Sequence, residues 1–481
     1  RGGRRAPPPP PPRRPPAARR PPPAGAGGGG AWGDTGLGAK LMHVITCGLW
    51  ASLAGGWRRG VGLGFTLGGM SALRDAAVSI VRALRGAGHV AYLAGGCVRD
   101  ELLGIEPKDY DVATDAPPER VKSLLRGARL VGESFGVVMV PVKVEGERRH
   151  IEVATFREEW GYADGRRPDR VAFTDARTDA QRRDFTINGL FLDPLGSGAE
   201  SDGVIDYVGG VADLRAKVIR AIGDASARFG EDYLRMLRAV RFAARLGFAL
   251  DEDTARSIRL HARYLGQISR ERIGQEVQWM MTAGGGRAAE AAAMLQRLHL
   301  DAATLNEDHR DVPLPTMTKV GDADYATVLA AWLTDRHGEP DDALQLTLVG
   351  RWRRALALSN QERDGLAATL TIARAFRGWS VMTVAQRKRL LARPQAGGAM
   401  AVFAARHDAR VIETEAAALL AEGVAPPPWI TGEDLIALGC VPGPQFKVWL
   451  DEVYDAQLEG RVADRDAALA MLGRISRATA T

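Results

Sequence analysis

The chain contains few cysteines and, beyond its N-terminal region, no long uncharged apolar stretch. Its 481 residues include three cysteines, Cys47, Cys97 and Cys440, which lie far apart and form no CxxC pair. This spacing argues against a disulfide framework or a cysteine zinc site and favours a reducing, cytoplasmic location. Only residues 41–57 have the apolar character of a signal or membrane segment. No later segment is long and apolar enough to span a bilayer, so we expect no membrane partner.

The first 69 residues differ in composition from the rest of the chain. Residues 6–30 consist entirely of proline, glycine, alanine and arginine, a composition that cannot form a packed core. Met70 opens a well-patterned amphipathic segment, MSALRDAAVSIVRALRGAG. We therefore expect residues 1–69 to be a disordered or artefactual leader, and the functional protein to begin at or near Met70.

The positive charge of the chain is concentrated in this leader. The formal net charge is +6, but residues 1–69 contain ten basic and one acidic side chain, which leaves −3 for residues 70–481. The remaining chain therefore has no global positive field. Any nucleic-acid-binding surface must be a local stripe.

The pattern after Met70 predicts an α+β fold, in which a small mixed or antiparallel sheet precedes an all-helical region. Four segments are predicted strands: HVAYLAGG, KDYDVATD, GVVMVPVKV and RRHIEVATFR. Residues 158–178 are polar and rich in glycine and proline, which indicates a long loop. The predicted boundaries are a head at 70–222, a neck at 223–298, a body at 299–424 and a tail at 425–481.

Two aspartates lie one residue apart in the second predicted strand. Alternation along a strand places Asp109 and Asp111 on one face and Tyr110 on the other. Two carboxylates this close repel each other unless a cation neutralises them, and Mg²⁺ prefers such oxygen ligands. Glu152 supplies a third carboxylate if its strand lies beside the first. This arrangement favours phosphoryl or nucleotidyl transfer with two metal ions.

A glycine pair precedes the aspartates at a predicted strand-to-helix junction, in the sequence GGCVRD. Gly95 and Gly96 allow backbone N–H groups to approach a triphosphate closely. Arg99 adds guanidinium donors, and Asp100 can pair with a nearby basic side chain. A glycine turn with a surface ion pair is the alternative, which the spacing to the two aspartates disfavours.

Residues 92–115, YLAGGCVRDELLGIEPKDYDVATD, resemble the signature of class II tRNA nucleotidyltransferases (CCA-adding enzymes) and bacterial poly(A) polymerases, in the DNA polymerase beta superfamily. Further similar blocks follow in the family's order: IEVATFR, YADGRRPDRVAF, RRDFTINGLFLDP, EDYLRMLRAVRFAARLGF, SRERIGQE and ITGEDLIALGCVPGPQFKVWLDEVYDAQLEG. The resemblance is dense over residues 90–290, returns over 425–470 and is faint between them.

The resemblance implies a nucleotidyltransferase head with a helical neck, body and tail. It implies that Asp109, Asp111 and Glu152 are catalytic and hold two Mg²⁺ ions. It also implies nucleotide-binding residues, with CTP and ATP as substrates: Gly95, Gly96, Arg99, Arg183, Asp184, Asn188, Asp232, Arg235, Arg238 and Arg241.

The segment EDYLRMLRAVRFAARLGF, residues 231–248, is predicted to be one helix. Asp232 and Arg235 are three residues apart, which places them together on a helix face. A carboxylate beside a guanidinium offers an acceptor and donors to a base edge. The resemblance implies that this pair selects CTP or ATP in place of a template. A charged, solvated helix face is the alternative for the segment taken alone.

The implied function is the addition of CCA to tRNA, with contacts to the acceptor stem and elbow and no obligate protein partner. A poly(A) polymerase and an enzyme adding only A or only CC remain alternatives, because they share nearly all head residues. An inactive RNA-binding module is a third alternative, which the three carboxylates disfavour. Some relatives carry a phosphohydrolase domain with a His-Asp dyad. We interpret His407-Asp408 as structural, because no second histidine cluster accompanies it.

Overall fold

The computed structural model describes residues 72–131, 136–160, 170–196 and 203–478. The predicted leader, its apolar segment 41–57 and Met70 lie outside these residues. The strands are β1 Ala91–Ala94, β2 Asp111–Thr114, β3 Arg129–Leu130, β4 Val137–Val144, β5 Glu147–Thr155, β6 Arg157–Trp160, β7 Arg170–Phe173, β8 Leu190–Leu192, β9 Val204–Asp206, β10 Val218–Ile219 and β11 Ala249–Leu250.

Seven of these strands form one mixed sheet in the order β3-β4-β5-β2-β1-β8-β9. All its neighbouring pairs are antiparallel except β2 and β5, which are parallel. The α+β prediction is confirmed. The parallel pair matters most for the site, because it places Asp111 directly opposite Glu152.

A tight turn sets the register of β4 and β5. Glu145 and Gly146 both have positive φ, 51° and 89°, as in the two-residue hairpin turns that match strand twist. The hairpin pairs Val144 with Glu147 and Met139 with Glu152. The turn therefore determines which residues of β4 and β5 lie opposite each other, and the separate parallel pairing of β2 with β5 places Glu152 level with Asp111.

The prediction of a long loop over residues 158–178 is wrong at both of its ends. β6 and β7 pair as an antiparallel ribbon in which Arg157 lies opposite Phe173 and Trp160 opposite Arg170. A helix follows, capped by the Asp175 carboxylate, which accepts from the Thr178 N–H. Aromatic and β-branched residues near each end favour strand pairing, and the glycines and prolines misled the prediction.

The helices account for most of the remaining chain. The helices are α1 Ala72–Gly86, α2 Gly96–Leu102, α3 Pro118–Leu124, α4 Ala176–Gln181, α5 Gly210–Ala216, α6 Ala225–Glu231, α7 Leu234–Leu246, α8 Glu252–His261, α9 Arg270–Met281, α10 Ala288–Arg297, α11 Asp301–Leu305, α12 Pro315–Val320, α13 Tyr325–His337, α14 Asp342–Ala355, α15 Asn360–Ala375, α16 Val384–Leu391, α17 Ala396–Ala404, α18 Arg410–Glu422, α19 Gly432–Ala437, α20 Gln445–Leu458 and α21 Arg465–Ala478. None of the helices in this described part combines the length and apolar character needed to cross a membrane.

Buried hydrophobic side chains form three clusters within the described residues, and the smallest includes Ala94, Phe156 and Phe191. One continuous core extends from α1 and the sheet through the helices to α18. A separate small core lies among the last helices and includes Ile430, Leu435, Val453 and Leu472. A non-helical stretch separates α18, which ends at Glu422, from α19, which begins at Gly432. The predicted domain boundaries stay predictions.

Two helices of the neck and body touch through a glycine. A Cβ on Gly274 in α9 would lie 2.0 Å from the Leu356 carbonyl oxygen, just after α14. A backbone atom cannot move aside as a flexible side chain can. Gly274 therefore sets the distance between these two helices.

We expect Gly274→Ala to lower the free energy of unfolding by about 3 kcal/mol, because the added methyl group must push the two backbones apart. Gly230→Ala in α6 is the matched control, since nothing lies within 4 Å of the position that its Cβ would take. That control should leave stability unchanged or raise it by about 0.5 kcal/mol. Chemical denaturation of both variants measures the difference, and equal stabilities would contradict the close approach.

Candidate active site

The predicted carboxylate triad lies at one edge of the parallel strand pair. Asp111 begins β2, and Asp109 lies two residues earlier in the bend that leads into the strand. Tyr110 between them is 2% exposed, so it faces the core as the alternation predicted. Glu152 on β5 pairs in register with Asp111. The strand of Glu152 therefore lies beside that of Asp111, which was the condition for Glu152 to supply a third carboxylate.

The carboxyl group of Asp111 has a raised pKa. Desolvation by neighbouring atoms, together with the charges of Glu152 and Asp109, raises the pKa of Asp111 to about 6, although Arg183 opposes the shift. A divalent cation would remove this repulsion, so the cluster fits such an ion. Within the described residues no three His, Cys, Asp or Glu side chains form a ready-made metal cage. The three carboxylates therefore lie at one edge of the sheet without forming a complete set of metal ligands.

The glycine turn before α2 brings an arginine against the backbone. Gly95 has φ 74° and ψ −125°, a conformation that favours glycine. A Cβ there would lie 2.8 Å from Nη1 of Arg183. The Gly95 N–H donates to the Leu190 carbonyl at 2.9 Å, so this donor is already used within the sheet. The turn therefore makes room for Arg183 as well as for a ligand.

Arg183 is held from two sides near the carboxylates. Its Nη2 donates to Asp179 at 3.1 Å, and its Nη1 donates to the Asn188 carbonyl oxygen at 3.1 Å. The guanidinium also lies over the Phe191 ring, 5.0 Å from its centroid. Of the predicted nucleotide-binding residues, Arg183 is thus the one positioned beside Asp111, whose charge it partly offsets.

Arg99 does not point freely into the cleft as predicted. It is 3% exposed, and its Nε donates to Asp100 at 2.8 Å while its Nη1 donates to the Asn188 side chain at 2.6 Å. Asp100 in turn pairs with Arg245 of α7 at 3.2 Å, as the expected basic partner. Arg99 therefore connects the glycine turn to the neck, and a direct phosphate contact stays a prediction.

Asp184 is the centre of the junction between head and neck. Burial opposes its ionisation, but Arg238 and a hydrogen bond from Asn188 outweigh this effect and lower the pKa of Asp184 to about 2. Arg238 donates from Nε at 2.8 Å, and Asn188 donates from Nδ2 at 3.0 Å. Asp184, Asn188 and Arg238 are brought together as predicted, but as a buried positioning network.

A second carboxylate supports the same face of α7. Glu276 of α9 is 2% exposed and lies 3.2 Å from Nε of Arg241 and 3.9 Å from Nη1 of Arg238. Burial lowers the pKa of Arg241 to about 10, although Glu276 opposes the shift. The Arg241–Glu276 contact is a charge pair without a well-aligned hydrogen bond. Arg241 also lies over the rings of Phe242 and Trp279.

The predicted helix over residues 231–248 is interrupted. α6 ends at Glu231 and α7 begins at Leu234, so Asp232 lies between helices and not on a helix face with Arg235. The Asp232 carboxylate accepts the Leu234 N–H at 3.0 Å, which turns the chain into α7. Local spacing could not reveal this, because a capping aspartate and a helical aspartate have the same sequence context.

Asp232 and Arg235, which are predicted to select the base, have other partners in this structure. Asp232 pairs with Arg272 of α9 at 2.5 Å. Arg235 pairs with Glu231 and donates to the Arg228 carbonyl at 2.9 Å. Arg272 therefore holds the side chain of Asp232, and Glu231 separately holds the side chain of Arg235.

Several residues of the site were not identified individually from the sequence. They are Asp179, Glu231, Arg245, Arg272 and Glu276. Arg272 and Glu276 lie in the block SRERIGQE, whose four-residue spacing is the signal that could have indicated a shared helix face. Asp179 has no comparable signal, because its partners follow only from the folded position of α4.

His407 and Asp408 do not act as a dyad. His407 Nε2 lies 2.6 Å from Glu339 Oε1, whereas Asp408 pairs with Arg410 at 2.7 Å. Burial and the nearby charges of Arg377 and Arg406 lower the pKa of His407. The two side chains have different partners, as expected for a structural role.

Sequence comparisons identify two regions of the chain. Residues 91–220 match the family described as "Poly A polymerase head domain", and residues 247–301 match "Probable RNA and SrmB- binding site of polymerase A". A CCA-adding enzyme of Levilactobacillus brevis is 32% identical over 401 residues, which cover 81% of this chain and 95% of that relative.

Other alignments cover fewer residues at a higher sequence identity. A CCA-adding enzyme of Latilactobacillus sakei is 44% identical over 207 residues, and poly(A) polymerase I of Salmonella typhi is 41% identical over 242 residues. In both cases the chain spans 49% of the relative's length.

Solved structures agree with this assignment. The Bacillus stearothermophilus CCA-adding enzyme in complex with CTP superposes with a TM-score of 0.68 at 29% identity, covering 85% of this chain and 99% of that one. The Thermotoga maritima CCA-adding enzyme complexed with tRNA shares the fold, with a TM-score of 0.60 at 20% identity. Because the head domain matches and a CCA-adding enzyme is 32% identical along 95% of its length, this chain belongs to the family of class II tRNA nucleotidyltransferases and bacterial poly(A) polymerases.

Proposed function

We propose that this protein is a template-independent RNA nucleotidyltransferase that adds C, C and A to tRNA 3′ ends from CTP and ATP and releases pyrophosphate. The observation that carries the proposal is the parallel register of Asp111 and Glu152 beside Arg183, in a chain that aligns with a CCA-adding enzyme over 95% of that relative's length. CCA-adding enzymes solved with CTP, ATP and tRNA support the same substrates.

In the reaction, the RNA 3′-oxygen forms a bond to the α-phosphorus of the nucleotide. The bond between that phosphorus and the bridging oxygen breaks, pyrophosphate leaves, and the hydroxyl proton is released to water. Asp109, Asp111 and Glu152 are the residues that would hold two magnesium ions, which when bound acidify the 3′-hydroxyl and stabilise the leaving group. Arg183 lies where its charge can orient the triphosphate.

Base selection follows from the order of donors and acceptors on the base edge. Cytosine and adenine both present an amino donor next to a ring-nitrogen acceptor, whereas uracil and guanine present a carbonyl next to an N–H. The Asp232 carboxylate accepts and the Arg235 guanidinium donates, which matches only the first order. Glu231 and Arg272 hold these two side chains in place before a base arrives.

A poly(A) polymerase is the second candidate. It is favoured by the 41% identity to poly(A) polymerase I over 242 residues. Enzymes that add only A or only CC share the same head, and the tRNA assay described below distinguishes them from an enzyme that adds the whole CCA. For all of them we propose tRNA or RNA 3′ ends as partner and a cytoplasmic location, in keeping with the buried, unpaired thiol of Cys97.

The reaction itself is tested with labelled tRNA that lacks its 3′ CCA, supplied with Mg²⁺ and CTP, ATP, both or neither. We expect two C residues with CTP alone and C, C, A with both nucleotides. A long A tail would instead identify a poly(A) polymerase. Tight tRNA binding without incorporation would identify an RNA-binding module.

We expect Asp111→Asn to lower kcat by about a thousandfold or more, because losing a metal-binding carboxylate removes several kcal/mol of transition-state stabilisation. Stability should stay equal or rise, since the change removes a repelled negative charge. Rates are measured with tRNA lacking CCA, and unfolding by thermal melting.

Asp253→Asn on the exposed surface of α8 is the matched control, with a side chain that is 78% exposed. It should change neither rate nor melting temperature. A large loss of stability in Asp111→Asn would show that Asp111 is a structural residue.

We expect Arg235→Ala to reduce the preference for CTP and ATP over UTP and GTP by about tenfold or more, because the pocket loses its donor to the base edge. Arg228→Ala is the control, since Arg228 pairs with the same Glu231 at 3.0 Å. The measurement is kcat/KM for the four nucleotides at saturating tRNA. An unchanged preference in Arg235→Ala would refute the base contact.

A further inference from the structure

One buried carboxylate beside the cleft has no part in the proposed reaction. Asp179 on α4 is 2% exposed. Its Oδ2 accepts from Nε and Nη2 of Arg183, at 3.3 and 3.1 Å. Its Oδ1 accepts from Nε of Arg182 at 2.9 Å and from the Arg157 backbone N–H, at the start of β6, at 3.2 Å. Both carboxylate oxygens are therefore engaged, each by the side chain of an arginine.

These contacts keep Asp179 ionised. Burial raises the pKa of its carboxyl group, but the charges of Arg183 and Arg182 outweigh burial, and the pKa of Asp179 lies below its ordinary value. A hydrogen bond between two ionised groups is stronger than one between neutral groups. Asp179 therefore provides a lasting negative charge against which Arg183 is held.

The helix that carries Asp179 lies close against the sheet. Four alanines of α4, β1 and β2 meet in the smallest hydrophobic cluster: Ala176, Ala180, Ala94 and Ala113. Because protein interiors are close-packed, side chains this small bring the helix backbone near the sheet. Ala113 and Asp111 are two residues apart on β2, so they share a face of the sheet. The packing of α4 therefore places Asp179 and Arg183 on the face that carries the Asp111 carboxylate.

Arg183 lies near two sets of carboxylates but pairs with only one of them. Its charge opposes the raised pKa of Asp111, which shows that the guanidinium lies near that carboxylate. In the part of the chain that the structure describes, its ion pair is with Asp179, and none joins it to a member of the carboxylate triad. A guanidinium released from Asp179 would be drawn to the triad, because guanidinium and carboxylate fit each other as a two-bond fork.

We propose that Asp179 is a positioning residue that withholds Arg183 from the carboxylate triad. By holding the guanidinium to one side, Asp179 leaves the oxygens of the triad free for metal ions and leaves Arg183 directed at the nucleotide triphosphate. Asp179 itself touches neither ligand. The inference rests on the proposed function, because the metal ions and the triphosphate belong to that reaction.

We expect Asp179→Asn to weaken the binding of Mn²⁺ to the free enzyme by about tenfold, as is typical when a residue that supports a metal site from outside is lost. The released guanidinium of Arg183 would compete with the ion for the same oxygens. KM for CTP should rise by about tenfold, because the guanidinium no longer orients the triphosphate, while KM for tRNA should stay constant. Electron paramagnetic resonance measures Mn²⁺ binding without nucleotide or RNA, and labelled incorporation measures both KM values.

Asp175→Asn is the matched control. Both changes remove one negative charge from the region of α4, but Asp175 is exposed at the start of the helix, where its carboxylate accepts the Thr178 N–H. Asparagine caps a helix about as well as aspartate, so α4 should keep its place. Mn²⁺ binding and KM for CTP should stay at their wild-type values. Equal losses of Mn²⁺ affinity in the two variants, or wild-type Mn²⁺ affinity in Asp179→Asn, would overturn the proposal.

A second change shows whether Asp179 acts through Arg183. Arg183→Gln alone should bind Mn²⁺ at least as tightly as the wild type, because no guanidinium competes for the triad. The double variant should bind Mn²⁺ like Arg183→Gln and more tightly than Asp179→Asn. A residue that only stabilises the fold, or that attracts the ion directly by its charge, would cause the same loss in both backgrounds. Such additive losses would contradict the positioning role.

Asp179→Glu is the conservative variant, since it keeps the negative charge. It should restore most of the Mn²⁺ affinity, because Arg183 keeps a charged partner, while KM for CTP stays raised, because the longer side chain displaces the guanidinium. Circular dichroism and thermal melting check the fold of each variant. If Asp179→Asn does not fold, Asp179→Glu and Arg183→Gln carry the test, and a loss of Mn²⁺ affinity in either would refute the proposal.

The Mn²⁺ measurement separates this inference from the proposed reaction. If the wild-type protein incorporates no nucleotide but the Mn²⁺ affinities of the variants follow the expected order, the positioning role stands and the reaction fails. If the wild-type protein incorporates C and A while Asp179→Asn binds Mn²⁺ normally, the reaction stands and the positioning role fails.

Discussion

The orientation of α7 against the sheet depends on pairs between its arginines and buried carboxylates of other elements. Arg238 meets Asp184, Arg241 meets Glu276, and Arg245 meets Asp100. Removing one partner from a fully buried pair costs about 3–5 kcal/mol, whereas the intact pair contributes little net stability, because burial of the charges offsets their attraction. The cost is smaller for Arg238 and Arg245, whose side chains are 33% and 37% exposed. These pairs therefore specify where the neck lies more than they stabilise it.

This geometry determines what the cleft can do. The head supplies carboxylates and Arg183, and the neck supplies Asp232 and Arg235. The ion pairs of α7 hold these two sets at a constant separation. The pKa of Asp184, near 2, shows that its partners more than offset burial, so this pair stays ionised over the whole working range of pH. Arg241 and Glu276 have pKa values shifted toward their neutral forms, which makes theirs the weaker of the connections.

The electrostatic balance at Asp109, Asp111 and Glu152 is the reverse of the balance at Asp184. Desolvation and like charges both raise the pKa of Asp111, and the positive charge of Arg183 offsets only part of this shift. A fold selected only for stability would not keep Asp111, Asp109 and Glu152 together. Desolvation and the like charges of Glu152 and Asp109 both disfavour the ionised form of Asp111, and perturbed carboxyl groups of this kind are typical of functional sites.

Much of this could be predicted from local sequence. Alternation around Tyr110 predicted that both aspartates share one face, and the pattern of RRHIEVATFR predicted the strand that carries Glu152. The α+β order and the helical character of the second half followed from periodicity. These features depend on neighbours within a few residues, which the sequence contains directly.

Other features were decided only by the tertiary structure. Local sequence could not show that β2 and β5 pair in parallel, that Arg99 turns inward to Asn188, or that Asp232 lies between two helices beside Arg272. The pair formed by Asp184 and Arg238 joins residues 54 positions apart. The reason is the same in each case: the direction of a long charged side chain depends on which distant partner packs against it, and only the folded chain brings that partner near.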